Sequence, residues 1–107
     1  MLRYLLSMIK NEYKIKEKVW LSPGMSGWYF VSISKKDSKE IEKRFDFLKR
    51  GWGSLKVSVT IGTTKWKTSI FPDKKSETFL LPIKSEVRKK EKIKNNDIVT
   101  LLIEILL

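Results

Sequence analysis

The chain has 107 residues, with 23 Lys or Arg against 12 Asp or Glu, a formal net charge of +11, and neither Cys nor His. That length makes one domain with one core. The missing Cys excludes a disulfide framework and thiolate chemistry, and the missing His removes the commonest general base and transition-metal ligand, so no cofactor or metal site is expected. Hydrophobic content of 41% with 11% aromatic is that of an ordered globular protein. Ala and Gln are also absent while Lys, Ile and Glu abound, a profile that fits both an AT-biased genome and heat adaptation.

Residues 1–12 read as an N-terminal extension and 13–107 as a single domain. The run Met1–Ile9 is too short for a bilayer span, which takes about 20 apolar residues, and it lacks the cleavage site of a signal peptide. The expected location is the cytoplasm, with no membrane partner. Leu2, Leu5, Leu6 and Ile9 make residues 1–7 either a peripheral addition or an apolar arm over a second copy, so monomer and homodimer both stay open.

Tyr13, Ile15, Val19 and Leu21 share one parity and Lys14, Lys16 and Lys18 the other, which predicts a half-buried strand ending at Ser22-Pro23-Gly24. Glu17 falls on the apolar parity. Trp28 to Ile33 is a second strand, aromatic and β-branched. Ser34-Lys35-Lys36-Asp37 resembles a capping box, Ser38 offers a second cap, and Ile41, Phe45 and Leu48 follow at helical spacing, with Gly51 placed to stop the helix. Leu55, Val57, Val59 and Ile61 then alternate as a strand into Gly62-Thr63, a two-residue type II′ turn with Gly first. Trp66, Thr68 and Ile70 form the inward face of the return strand, and Pro72 to Lys75 a loop. In the strand Thr78 to Lys84, Pro82 implies an edge or a bulge. Ser85 to Lys92 reads as one or two helical turns, and Asn95-Asn96-Asp97 leads into a last strand from Ile98. Six strands must close or stack, which favours a small barrel. No internal repeat is visible.

Six motifs stand in order between Tyr13 and Glu104. They are Gly27-Trp28-Tyr29-Phe30-Val31, Ser38-Lys39-Glu40-Ile41, Arg50-Gly51-Trp52-Gly53, Ser69-Ile70-Phe71-Pro72, Leu80-Leu81-Pro82-Ile83-Lys84 and Val87-Arg88-Lys89. Together they resemble a prokaryotic family of domains of unknown function, numbered nineteen hundred and five. Its members occur alone or fused to YdeI/OmpD-associated, bacteriocin-protection-like domains. The resemblance implies a mainly β fold: a closed six-stranded split β-barrel with one α-helix and a short helical turn, like the AbrB- and MazE-type barrels. Asn96-Asp97 stands where the family more often shows Gly-Asp, and residues 1–12 have no counterpart.

The functional reading starts from arginine. Beside nineteen Lys there are only four Arg, so an Arg kept inside a Gly/Trp motif points to planar pairing or stacking that Lys cannot supply. Arg50, Trp52, Ser69, Lys84 and Arg88 are the candidate ligand-binding residues, and an anionic small molecule is the expected ligand. Both guanidiniums are expected near the wall made by Ser69 and Leu80–Lys84, with at least one stacked on Trp52 or another aromatic. Trp66 reads as core, Trp20 as partly exposed, and core filling is preferred for Trp28 and Trp52 as well. Nucleic-acid binding is the second reading, supported by charge, but the lysines are spread through every segment as on a solvated surface. An enzyme is the third. Glu40, Glu42 and Asp46 read as helix-surface ion pairs beside Lys and Arg, Asp73 and Asp97 as turn formers, and Ser69 has no His partner, so no catalytic residue is assigned.

Overall fold

The strands turn one apolar parity inward, with Phe30 and Ser58 buried on the other, and a closed cylinder brings all six inward faces to a common interior without a free edge. A computed structural model, which describes residues 10–24 and 26–107, has that form. The elements are β1 (Glu12–Leu21), β2 (Tyr29–Ser32), α1 (Lys35–Phe45), β3 (Leu55–Ile61), β4 (Thr64–Asp73), β5 (Thr78–Pro82), α2 (Ser85–Glu91) and β6 (Ile98–Ile105), with short 3₁₀ turns at Asp46–Leu48 and Gly51–Gly53. The barrel closes in the order β1-β2-β5-β4-β3-β6, every neighbouring pair antiparallel. Val19, Val31, Leu55, Val57, Val59, Ile70, Leu81, Ile103 and Ile105 fill it and are fully buried. Among the described residues no helix is long and apolar enough to cross a membrane. The proposed arm of residues 1–7 lies outside the described residues. The barrel reaches back to Asn11, two residues before the boundary drawn from alternation, because Ile105 N donates to Asn11 O at 2.8 Å.

The two turns that demanded special backbone have it. Ile61 pairs with Thr64 across a two-residue loop in which Gly62 has φ +56°, and a Cβ there would run into the Glu91 carboxylate. Asn96, in the turn before β6, takes φ +74°. Asp97 fastens this turn by accepting from Lys94 N at 2.8 Å. The first helix differs from expectation at its end. It stops at Phe45 and passes into the Asp46–Leu48 turn, while Gly51 opens a second turn. Ser34 is the N-cap, its Oγ accepting from Asp37 N at 3.1 Å.

The strand order contains a repeat that the residue identities hide. β1-β2-α1-β3 and β4-β5-α2-β6 are related by an approximate two-fold axis, which exchanges β1 with β4, β2 with β5 and β3 with β6 and leaves the barrel order unchanged. The central hydrogen bonds are reciprocal, Ile33 N to Phe79 O and Ile83 N to Tyr29 O, each 2.9 Å. Ser38 Oγ donates to Ile33 O, five residues back, and at the equivalent place Arg88 Nε donates to Ile83 O, both at 3.1 Å. Tyr13 Oη donates to Glu40 at 3.1 Å on α1, and Thr64 Oγ1 to Glu91 at 2.6 Å on α2. Each helix therefore packs over one end of the barrel, α1 burying Ile41 and Phe45 and α2 burying Val87. A sequence comparison misses the repeat because the fold demands only apolar residues inward at these positions, and that demand is met by different side chains in each half.

Two consequences are measurable. Ser38 Oγ also accepts from Phe79 N at 3.0 Å, and both groups are buried. Ser38→Ala strands that amide and should lower unfolding free energy by about 1–3 kcal/mol in denaturant titration. Burial, with the Glu40 carboxylate beside it, pushes the Tyr13 phenol up to about 12. Between the unfolded value near 10 and that folded value, the unfolded chain sheds a proton that the folded chain keeps, so this contribution weakens as pH rises through the window. Tyr13→Phe cannot titrate. Its deficit relative to wild type, about 1 kcal/mol at neutral pH for the lost hydrogen bond, should shrink or reverse between about pH 10 and 12, the lysine background being common to both chains.

Candidate functional site

Strand register determines where the wall opens. With Ile83 N bonded to Tyr29 O, residues 79, 81 and 83 turn their backbone groups toward β2, and Leu80 and Pro82 turn theirs toward β4. Pairing of β4 with β5 covers only Asp73–Thr78, Pro72–Phe79 and Phe71–Leu80. Continuing it would set Pro82 opposite Ser69 and Lys84 opposite Lys67. The strands part instead, and Pro82, with no N–H to leave unpaired, stands at the point of parting. It is thus neither on an edge strand nor in a bulge. Proline is tolerated because its imide faces the split rather than a ladder.

A cavity of about 330 Å³ occupies this split. Trp66, Lys67 and Thr68 of β4 form one wall, Pro82 to Ser85 with Arg88 the opposite one, and Gly27 to Tyr29 the third. Trp28 is held at the rim by stacking on Phe30 (5.9 Å, 25°), which leans on Trp20 (5.1 Å). Trp20 Nε1 in turn donates to Ser32 Oγ at 3.0 Å. In the second half, Phe71 and Pro82 stand where Trp20 and Ser32 stand and cannot make this bond.

Arg88 is fixed twice. Its Nε donates to Ile83 O, and its Cζ lies 3.9 Å from the centroid of the Tyr29 ring. A guanidinium over a ring face gains a cation–π interaction of about 0.5–2 kcal/mol and is held flat. Among the described residues the two Nη groups have no hydrogen-bond partner. Lys67, Lys84 and Arg88 are the charged groups of the lining, with no carboxylate among them. Glu91, on the same helix, is engaged by Thr64. A larger cavity of about 430 Å³ lies at the α1 end, but there Lys39, Lys43 and Lys74 are offset by Glu42, Asp73 and Glu77. Asp73 is occupied by Ser76, whose hydroxyl donates to it at 2.6 Å. Volume favours that groove, while charge and aromatic walls favour the split.

Of the five sequence candidates, the structure brings Lys84 and Arg88 together. Ser69 sits one residue beyond the β4 wall, paired with Lys56. Arg50 and Trp52 are elsewhere, on the turn where Gly53 abuts Pro72. At about 3.3 Å per residue, Pro72 is roughly 13 Å along β4 from Thr68. Arg50 N bonds Ser54 O at 2.8 Å, and Trp52, at φ 64° and ψ 16°, is 92% exposed, so the core role preferred for its indole does not hold. Trp28 is also half exposed, whereas Trp66 is core as expected. The acids of α1 are ion pairs: Glu40 with Arg44 at 3.0 Å, Glu42 with Lys49, and Asp46 with Lys49 at 3.2 Å. Arg44 and Tyr13 together hold the Glu40 carboxyl below its ordinary range, and Glu42 with Asp46 raises the Lys49 ammonium. Sequence reasoning missed Lys67 and Tyr29 as site residues, and only the break in the β4–β5 ladder singles them out.

A family model described as Domain of unknown function (DUF1905) matches residues 16–103. No curated protein matches the chain at a significant level. The family match runs from β1 into β6 and takes in the split and both of its walls, so the chain belongs to the DUF1905 family.

Proposed function

We propose that this protein is a non-enzymatic binding module whose site is the split between β4 and β5, and that its ligand is a small organic anion with an apolar or aromatic body. One observation carries the reading: a guanidinium clamped on Tyr29 and Ile83 O, its Nη edge uncommitted, in an aromatic cavity with two lysines and no acid. Such an edge accepts a carboxylate or phosphate in two parallel hydrogen bonds. Catalysis is set aside because the lining holds no carboxylate, imidazole or thiol. Lys84 and Arg88 are the anion-binding residues, Lys67 a third cation, and Trp28, Tyr29 and Trp66 the apolar walls. Arg50 and Trp52 are assigned no part in this pocket.

A second reading has its own observation. Trp52 holds a strained backbone conformation while displaying a nearly bare indole beside exposed Arg50, the arrangement of a stacking platform for single-stranded nucleic acid. Binding of single-stranded oligonucleotides that weakens on Trp52→Ala and is insensitive to Arg88 would favour it.

Titration with phenylacetate, followed by tryptophan fluorescence, tests the pocket. Wild type should saturate. Arg88→Lys keeps the charge but loses the fork, and should weaken binding about tenfold while costing about 1 kcal/mol of stability. Arg50→Lys should change neither. Failure of phenylacetate and inorganic phosphate to bind, or equal affinity in Arg88→Lys, would sink the proposal.

A further inference from the structure

The split exposes main chain as well as side chains. In β3 and β4 the residues Ile61 and Thr64 close a two-residue hairpin, so the even-numbered residues of β4 turn their N–H and C=O toward β3 and the odd-numbered ones toward β5. Phe71 and Asp73 meet partners there. Lys67 and Ser69 turn theirs toward the split: the Lys67 N–H and C=O have no backbone partner among the described residues, and the Ser69 C=O faces Pro82, which has no N–H. One N–H donor and two C=O acceptors therefore line the β4 side at the spacing of a strand. Across from them stand Lys84 and, one helical turn on, Arg88.

We propose, resting on the pocket reading above, that the ligand is the extended C-terminal end of a partner polypeptide, two or three residues of which add to β4 as an antiparallel strand. Strand addition uses main-chain hydrogen bonds for affinity, and terminal capture uses a cationic or N–H-rich corner for the carboxylate. The split combines both. The direction follows from the placement of charge. Arg88 lies toward the Thr64 end of β4, since its helix is tied there through Glu91. A chain with its carboxylate at Arg88 and Lys84 thus runs opposite to β4. Its penultimate backbone groups meet Lys67 and Ser69, and its last side chain lies between Trp28, Tyr29 and Trp66. Charge complementarity selects this occupant: Lys67, Lys84 and Arg88 face a single terminal carboxylate with no acid in the lining to compete. The volume, about 330 Å³, suits a few residues and not a folded domain.

The test uses the full chain and a pool of N-acetylated tetrapeptides ending in an apolar or aromatic residue with a free carboxylate. The same pool with C-terminal amides and phenylacetate alone serve as comparisons. Members of the free-acid pool should bind about tenfold or more tighter than phenylacetate, and amidation should cost at least about tenfold. Hydrogen exchange at the Lys67 amide should slow on binding, and Arg88→Lys should weaken the free acids more than the amides. If phenylacetate binds through Arg88 and no peptide exceeds it, the peptide proposal falls while the anion pocket stands. If neither binds, both fall. Peptides that bind equally well as amides, or that leave the Lys67 amide unprotected, overturn strand addition at this site.

Discussion

The reciprocal hydrogen bonds between β2 and β5, Ile33 N to Phe79 O and Ile83 N to Tyr29 O, are the constraint on which the rest of the barrel depends. These are the two shortest strands, and they lie side by side on the pseudo-two-fold axis. Each long neighbour, β1 or β4, therefore finds a partner in them only over its last few residues. Where a short strand runs out, the chain must satisfy its backbone by another route, and a helix does so within itself. That is why α1 starts three residues after β2 and α2 three residues after β5, each folding back over an end of the barrel. The closed barrel, the two helical lids and the two splits in the wall are one solution to one shortage of pairing.

The two halves meet that shortage differently. In the first, a small residue suffices at the corner. Ser38 reaches Ile33 O and Phe79 N together, and Trp20 donates to Ser32. In the second, Arg88 stands where Ser38 would, and Pro82 where Ser32 would. A guanidinium is too long to sit under the helix, so it lies on the Tyr29 ring and reaches outward. The first corner satisfies a carbonyl and an amide with one buried hydroxyl. The second satisfies its carbonyl with one nitrogen and leaves the others facing a cavity. The two corners thus meet one backbone demand with different side chains.

Much of the barrel is legible in the sequence, because parity is a local property: Leu55 to Ile61 and Trp66 to Ile70 alternate as strands, and Gly62 and Asn96 mark turns that need a positive φ. The repeat is not legible, since Ser38 and Arg88, or Tyr13 and Thr64, share a position without sharing chemistry. Pro82 implies an edge or a bulge because proline excludes a ladder bond, but a ladder can also end within a wall, and only register distinguishes these. The scarcity of Arg pointed at Arg88 and equally at Arg50, since a count carries no direction. Lys67 could not be picked out among nineteen lysines until the β4–β5 pairing showed which of them borders a gap.

Why position 88 carries Arg follows from the number of things its group does at once. One nitrogen is spent on the Ile83 carbonyl, which otherwise loses its side-chain partner at the end of β5. The flat face is spent on Tyr29. The remaining edge is still a two-pronged donor. An ammonium is compact and strongly hydrated, with no flat face and no fork, so a Lys there could hold the carbonyl or meet an anion but could not do both while lying on the ring. Under the anion-pocket proposal, binding and folding would meet in one side chain. An anion on the Nη edge would restrain the same guanidinium whose Nε holds the Ile83 carbonyl. A ligand that binds only the folded chain would by linkage stabilise it.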